Sequence, residues 1–219
     1  MTGRGAAALC ACTVLFAGTA QAAGLDSFYL GVRGGLSQSG TGSSRVQNEL
    51  AAKGYTGVQA AASTHSYGTA PYLGYRLTPF ASLELSYVYF GKYRVTAAAF
   101  ANQDAFQRDL IRVQQPAGHG AALSLRLDQP RLFGPLDGAI RFGGYYWRES
   151  FGLTHSDHSQ ETIVRSGGGV TLGPLLSWPI TPHFSIGATA DVYLPIVTRP
   201  RPVLQEGLQI EYSFQGRAS

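Results

Sequence analysis

The sequence has little charge and almost no cysteine. Asp, Glu, Lys and Arg make up 14% of its 219 residues, whereas a soluble globular protein carries about 25%. Its two cysteines, Cys10 and Cys12, both lie near the N-terminus, so residues 23–219 hold no disulfide, thiolate metal site or cysteine nucleophile. The formal charge of +4 is too small and too dispersed to indicate nucleic-acid binding.

After residue 22, the chain also lacks any apolar run near the length of about 18 residues that a membrane helix needs. The run from Ala6 to Ala20, which follows Arg4, is typical of a secretory leader. Ala20-Gln21-Ala22 is an A-x-A cleavage site, which predicts a leader over 1–22 and a mature barrel domain over 23–219. The alternatives are an uncleaved anchor, for which the run is short, and a lipoprotein signal at Cys12, which would ignore the A-x-A site.

The mature chain shows a strand-like alternation of apolar residues with small or polar ones. A secreted chain without apolar helices can cross a membrane only as a closed barrel. Two weaker segments, 67–77 and 168–180, contain Pro71 and Pro174, which we expect to mark a bulge or a strand end. The six clean segments are 28–37, 81–89, 120–127, 139–146, 184–194 and 208–214.

The charged residues decide which way these strands face. In the six clean segments, every Arg, Asp and Glu lies on the face opposite the Leu, Ile, Phe and Tyr stripe. A lipid-facing Arg or Lys near the midplane costs roughly 2–4 kcal/mol, so contact with lipid explains the uncharged stripe. We therefore predict an all-β fold, an eight-stranded antiparallel up-and-down transmembrane β-barrel. The alternative is a soluble β-sandwich or lipocalin-like barrel, which would turn the same stripe inward.

The connections between the segments alternate between short and long. The short ones, 77–80, 128–135 and 180–183, contain proline and suit periplasmic turns. The long ones, 41–65, 94–118, 149–166 and 195–203, suit external loops, and helices are expected at 46–53 and 97–113. An apolar face in the second helical segment is expected to pack on the barrel rim; its members are Phe100, Phe106, Leu110 and Ile111.

Aromatic residues collect near strand ends, where rings at headgroup level form a girdle in membrane barrels. Ordinary sheet packing is the alternative for each of them. The residues concerned are Tyr87, Tyr89, Tyr93, Tyr145, Tyr146 and Trp147.

Several of these segments together resemble one known family. The run 74–80 followed by 83–87 is similar to the second hairpin of the OmpA-like transmembrane domain. Residues 136–148 resemble its fifth strand, and 180–182 its sixth-to-seventh turn. The terminal strand, from Leu208 to Phe214, ends on the aromatic residue that such barrels present to the barrel-assembly machinery. The resemblance covers most of the chain from Ser27 to Gln215 and implies an eight-stranded barrel with a blocked lumen in a Gram-negative outer membrane.

The resemblance implies an ion-pair cluster inside the barrel, with Glu84, Arg126 and Arg141 as members. The family often has an acidic residue on strand six and a basic one on strand seven, where this chain has Ser177 and Gly187. Strand alternation points to a larger set independently, because a small barrel fills its interior with side chains and buried charges must pair. The inward charges are Arg33, Arg76, Arg126 and Arg141 facing Glu84, Asp191 and Glu211.

The sequence gives little indication of a catalytic or metal-binding site. The run 155–161 contains His155, His158 and Glu161, but it lies in a predicted loop and gives no strand-held nucleophile and base. We expect no catalytic residue, metal or cofactor. Arg94, Arg148 and Arg199 to Arg201 are candidates for contact with lipopolysaccharide phosphates, with solvated strand ends as the alternative.

The sequence therefore predicts a structural, envelope-stabilising barrel embedded in outer-membrane lipid, whose external loops are available to a surface ligand. Two alternatives stay open: a porin-like narrow pore gated by the lumen charges, and a lipid-modifying enzyme. Fold alone does not choose among them.

Overall fold

The computed structural model describes residues 27–40, 42–93, 95–98, 103–113, 118–154, 160–196 and 202–214. The predicted leader over 1–22, Phe100, and the loop histidines His155 and His158 lie outside these ranges. No helix in the described ranges has the length and apolar character needed to span a bilayer.

Within the described ranges, ten strands and two helices follow one another. In order, they are β1 (Phe28–Ser39), α1 (Ser43–Ala51), β2 (Gln59–Ala62), β3 (His65–Thr78), β4 (Ala81–Gly91), β5 (Val95–Ala98), α2 (Gln103–Val113), β6 (Gly118–Phe133), β7 (Leu136–Thr154), β8 (Gln160–Pro179), β9 (Phe184–Pro195) and β10 (Val203–Ser213). Eight of them form a closed antiparallel barrel in the order β1-β10-β9-β8-β7-β6-β4-β3, which confirms the predicted fold class. The other two, β2 and β5, pair with each other outside the barrel.

The register of the ladders fixes the shape of the barrel. A walk from strand to strand through directly paired residues starts at His65 on β3 and returns to β3 at Tyr75, ten residues further along. Such a stagger requires strongly tilted strands, about 35–45° from the barrel axis. A barrel of eight strands has an interior just wide enough for side chains to fill.

The two faces of the strands differ as the alternation predicts. Leu85 and Leu123 point outward and are 56% and 52% exposed, whereas Glu84 and Arg126 point inward and are 1% and 3% exposed. The apolar stripe therefore lies on the outside of the barrel, where lipid replaces water. A soluble barrel with an apolar interior is excluded by this arrangement.

The two prolines neither end nor bulge their strands, so that prediction is wrong. Pro71 pairs with Val32 of β1, and the register of β3 with β4 is the same on either side of it. Pro174 pairs with Ile140 of β7, and the register of β8 with β9 is also unchanged across it. A proline lacks only one donor, and that donor faces one neighbouring strand, so the ladder on the other side is unaffected.

Several predicted boundaries also need correction. Most of the third long connection is paired strand, because β7 and β8 run together as far as Thr154 and Gln160. The turn assigned to 128–135 shrinks to two residues after Phe133, and Ala97 belongs to β5 rather than to a helix. β10 starts at Val203, before the predicted 208, and this adds an outward-facing charge, Glu206, to the apolar face. On β10, the outward face is therefore free of charged residues only over the shorter predicted segment, 208–214.

The aromatic residues split between two locations. Tyr87 and Tyr146 face outward near the external end, each 54% exposed, as a girdle requires. Tyr145 and Trp147 face inward and are buried, so the girdle assignment is wrong for them. At the periplasmic end, the outward and exposed aromatic residues are Phe80, Phe133, Trp178, Phe184 and Phe214.

Candidate functional site: the barrel lumen and the external cap

A network of charged side chains fills the middle of the lumen. Its members come from inward positions on six strands, where alternation and register bring them to similar depth. They are Arg33 (β1), Glu84 (β4), Arg126 (β6), Arg141 (β7), Asp191 (β9) and Glu211 (β10), none more than 4% exposed. Three guanidinium groups thus face three carboxylates within this nearly inaccessible set, and the partly exposed Asp128 joins it at the margin.

Glu84 is the centre of this network. Its Oε2 accepts a hydrogen bond from Arg33 Nη1 at 3.0 Å, and its Oε1 accepts one from Arg126 Nη1 at 3.3 Å. Tyr29 Oη donates to the same Oε1 at 3.1 Å, and Arg141 Nε lies 4.0 Å from Oε2. One buried carboxylate therefore holds three arginines from three different strands.

The remaining carboxylates complete the network. Arg126 Nη1 donates to Glu211 Oε2 at 2.5 Å, and Arg126 Nε donates to Asp128 at 2.7 Å. Arg141 Nη2 donates to both oxygens of Asp191, at 2.9 and 3.1 Å. Every carboxylate of the network is therefore within hydrogen-bond reach of an arginine, as buried charges require.

Neutral polar side chains bond to several of the charged groups, whereas Arg33 Nε is buried without a hydrogen-bond partner among the described residues. Tyr72 Oη donates to Glu211 Oε2 at 3.1 Å, and the guanidinium of Arg141 donates to Gln209 Oε1, at 3.1 Å, and to Thr189 Oγ1. The sequence reasoning overlooked these residues together with Tyr29. All of them occupy inward positions, so strand alternation was the signal that identifies them.

Arg76, the seventh predicted lumen residue, lies apart from this set. It is inward-facing and half-buried, and its guanidinium lies 5.7 Å from the centre of the Tyr29 ring. The structure thus brings six of the seven predicted residues together and places Arg76 at the margin. The positions noted as departures from the family pattern, Ser177 and Gly187, are paired with each other on β8 and β9.

A layer of packed aromatic side chains lies in the lumen above the charges. Phe90, Tyr145 and Tyr193 pack against one another, with ring centres 4.9 to 5.9 Å apart, and Trp147 belongs to the same buried cluster. Tyr193 follows Asp191 by two residues on β9, which places this aromatic layer on the external side of the network. Water and ions entering from outside meet this layer before they reach the charges.

The two longest connections form a small folded unit, which we call the external cap: α1, β2, β5 and α2. Its core contains Val46 and Leu50 of α1 and Phe106, Leu110 and Val113 of α2, all nearly inaccessible. The antiparallel strands β2 and β5 cover this core. Phe106 and Leu110 of α2 therefore pack within the cap, and the prediction that they pack on the barrel rim is wrong.

Two contacts connect the cap to the extended β7–β8 hairpin. Arg108 of α2 forms a 3.0 Å ion pair with Glu161 of β8, so this member of the 155–161 run has a structural contact. Arg165 of β8 donates a 2.7 Å hydrogen bond to the Ile111 carbonyl, and its guanidinium lies 5.7 Å from the Trp147 ring centre. Arg165 thus links the cap directly to the aromatic layer.

Within the cap, Asp109 connects the two loops. Lys53 Nζ donates to it at 2.6 Å, and the Tyr55 hydroxyl donates at 3.0 Å. The hydrogen bond from Lys53, followed by that from Tyr55, holds the pKa of the Asp109 carboxyl below its usual value, because both donors stabilise the ionised form. At neutral pH this carboxylate is therefore charged and pins the residues after α1 to α2.

The described residues contain no group of three His, Cys, Asp or Glu side chains that could hold a metal ion. Charged and polar groups within the described barrel are concentrated in the lumen network, where they bond to one another. The arrangement can hold the barrel closed and support a cap, and it offers no open coordination site in the part of the chain that the structure covers.

Comparison with known proteins gives a family but no close relative. Among solved structures, the N-terminal β-barrel domain of Pseudomonas aeruginosa OprF is 13% identical with a TM-score of 0.47, covering 85% of this chain and 98% of that one. Neisserial surface protein A is 11% identical with a TM-score of 0.47, covering 86% and 97%. The outer membrane protein OprG from Pseudomonas aeruginosa is 9% identical with a TM-score of 0.48, covering 85% and 97%.

No curated protein matches the sequence. The profile of the OmpA-like transmembrane domain, in contrast, matches residues 23–197, well over half of the chain. The chain therefore belongs to the OmpA-like transmembrane domain family of β-barrels in the Gram-negative outer membrane.

Proposed function

We propose that this protein is a sealed structural anchor of the outer membrane that presents the external cap to a partner at the cell surface. The observation that carries the first part is the double closure of the lumen, with a balanced charge network below and packed aromatic rings above. A conducting pore needs a continuous wet path, whereas the carboxylates of the lower layer bond to arginines and the rings of the upper layer pack against one another. The network then serves to hold the strands together across the lumen.

The cap supports the second part of this proposal. It has a core of its own and projects beyond the membrane, and the described residues include an ion pair and a hydrogen bond between it and the β7–β8 hairpin. A rigid scaffold that positions a folded loop unit is a common arrangement for recognition. Replacing the cap by short Gly-Ser turns should remove binding to the surface partner, while the shortened barrel still folds and migrates as a compact species in unheated gels.

A narrow pore is the second candidate, because Arg126 Nη1 contacts both Glu84 and Glu211 and could exchange one for the other. Planar-bilayer recording distinguishes the two functions. We expect no discrete channel events for the wild type. A Phe90→Ala/Tyr193→Ala variant, which opens the aromatic layer alone, is expected to conduct weakly or not at all because the charge network still closes the lumen. Well-resolved channels in the wild type that disappear in Glu84→Ala would contradict the sealed barrel and establish a gated pore.

Two further features of the precursor belong to this proposal. Cleavage by leader peptidase is expected after Ala22, so the protein recovered from membranes should start at Ala23 by mass spectrometry. Phe214 directly follows the terminal strand β10 and is 40% exposed, as a residue read by the assembly machinery must be. Phe214→Ala should lower the amount of assembled barrel in cells without lowering refolding of the purified chain in detergent.

A further inference from the structure

Three outward-facing rows of residues cross β4, β6, β7 and β8 at the external end of the barrel. The outermost row, read through direct pairings, is Tyr89, His119, Arg148 and Ser166. The next row towards the membrane centre is Tyr87, Ala121, Tyr146 and Gly168, and the one after it is Leu85, Leu123, Gly144 and Val170. From the rim towards the membrane centre, the outer surface thus changes from basic to aromatic to aliphatic.

This order fixes the depth of the outermost row. Tyrosine rings sit at the headgroup boundary of a bilayer, and aliphatic side chains sit in its hydrocarbon region. Tyr87 and Tyr146, each 54% exposed, mark that boundary here. His119 and Arg148 are the next outward-facing residues beyond this tyrosine row, two residues further along their strands towards the outside. They therefore lie at the level of the phosphorylated headgroups of the outer leaflet.

The basic residues at this edge of the barrel are available to a ligand. Arg148 and Lys92, which follows the end of β4 directly, are exposed, and neither forms an ion pair with any described residue. The His119 ring stacks on Tyr87 with ring centres 6.0 Å apart, which holds it against the outer face. The backbone N–H of Lys92 donates to Ser66 Oγ at 3.0 Å, which fixes the base of that side chain at the same edge.

The opposite side of the barrel has a different charge. There, the outward face of β10 carries Glu206, which accepts a long 3.4 Å hydrogen bond from Gln38 and has only apolar residues, Leu36 and Ala190, directly paired with it. The described outer face therefore carries basic residues at the rim on the β4–β6–β7 side, and on the β10 side an acidic residue three positions inside the external end of the strand. Uniformly solvated strand ends do not explain this asymmetry, whereas an anionic ligand on one side does.

We propose that Lys92, His119 and Arg148 form a binding site for the phosphate groups of a lipopolysaccharide headgroup in the outer leaflet. Arg148 provides the planar fork that bonds two phosphate oxygens at once, and His119 beside it donates from its ring. Lys92 adds a point charge at the rim. The exposed rings of Tyr87 and Tyr146 lie directly below, where the first carbons of the acyl chains pass.

The test uses the full chain in phosphatidylcholine vesicles that contain a small fraction of lipid A. The number of lipid A molecules retained per barrel is counted by native mass spectrometry, for diphosphoryl lipid A and for its dephosphorylated form. We expect retention of the diphosphoryl form only. Removing charge should weaken retention about fivefold in Arg148→Gln and about twentyfold in Lys92→Gln/Arg148→Gln, since each basic residue near a charged surface contributes a factor of about five.

The matched control is Arg131→Gln, which removes the same charge from an exposed position near the periplasmic end of β6. It should retain lipid A as the wild type does. Equal losses in Arg131→Gln and Arg148→Gln would overturn the site, as would equal retention of dephosphorylated lipid A. Displacement of lipid A by millimolar inorganic phosphate would show a site for soluble anions and would also overturn the proposal. His119→Gln, which leaves both permanent charges in place, provides a second reading if the double variant does not fold.

Discussion

Replacement of Glu84 by alanine is the most informative perturbation of the lumen. Loss of this carboxylate leaves three guanidinium groups facing two carboxylates at the core of the network. The three arginines lose different shares of their ion pairing. Arg126 keeps Glu211 at 2.5 Å and Asp128 at 2.7 Å, and Arg141 keeps Asp191 at 2.9 Å. The one carboxylate that the described residues leave near Arg33 is Asp191, 4.0 Å from its Nε, and its guanidinium also lies 4.5 Å from the centre of the Tyr72 ring.

The magnitude follows from this inventory. Removing one partner of a buried ion pair leaves an uncompensated buried charge and costs about 3–5 kcal/mol. That loss should be concentrated on Arg33, so Arg33→Met in the Glu84→Ala background should recover about 1–3 kcal/mol as a coupling energy. Arg126→Met in the same background should recover nothing, because it removes the 2.5 Å pair with Glu211 and the 2.7 Å pair with Asp128.

The assay is denaturant unfolding of the barrel in lipid vesicles, followed by tryptophan fluorescence and extrapolated linearly to zero denaturant. Glu206→Ala, which removes the same side chain from the outward face of the barrel, provides the control and should not lower stability. A loss below about 1 kcal/mol in Glu84→Ala would refute the reasoning, since it would mean that lumen water screens the network. An equal recovery with Arg126→Met would refute the assignment to Arg33.

Two further predictions concern close packing and pH. A Cβ added at Gly74 would overlap the buried Tyr29 ring, so Gly74→Ala should lower the free energy of unfolding by about 1–3 kcal/mol. At the lipid-facing Gly34, the nearest atom to an added Cβ is 3.7 Å away, so Gly34→Ala should change this free energy by less than about 0.5 kcal/mol. Denaturant unfolding measures both changes. Because the pKa of Asp109 is lowered in the folded cap, its hydrogen bond with Lys53 contributes stability at neutral pH that is lost as the pH falls through that lowered pKa. Because the pair is partly exposed, it contributes about 0.2–1 kcal/mol. NMR of the cap methyl groups from neutral pH to about pH 3 should show the cap becoming less ordered in the wild type. The same pH change should have no such effect in Asp109→Asn.

Much of the barrel could be predicted because strand geometry repeats every two residues. A charge at an inward position such as Glu84 stays inward even where strand ends are misplaced by several residues. The partners could not be predicted in the same way. Arg126 on β6 meets Glu211 on β10 across the lumen, and which depths coincide depends on the stagger of the closed barrel, which alternation does not contain.

Two other features were missed for different physical reasons. Tyr145 and Trp147 share the inward parity of Arg141, but their closeness to a strand end suggested a girdle, and position along the strand was given more weight than parity. The cap is a tertiary structure built from two separate loops. The apolar face of α2 was visible in the sequence, but its partner, α1, lies more than 50 residues earlier in the chain, and nothing local indicates that pairing.

The central claim, that the apolar face of the strands meets lipid while the inward face is sealed, can be tested with the two tryptophans of the chain. Trp178 faces outward and is 53% exposed, whereas Trp147 is buried in the lumen at 3%. In vesicles of brominated phosphatidylcholine, a Trp147→Phe variant, which keeps Trp178, should be strongly quenched, and a Trp178→Phe variant should be quenched little. Strong quenching of Trp147, with Trp178 open to an aqueous quencher instead, would contradict the account.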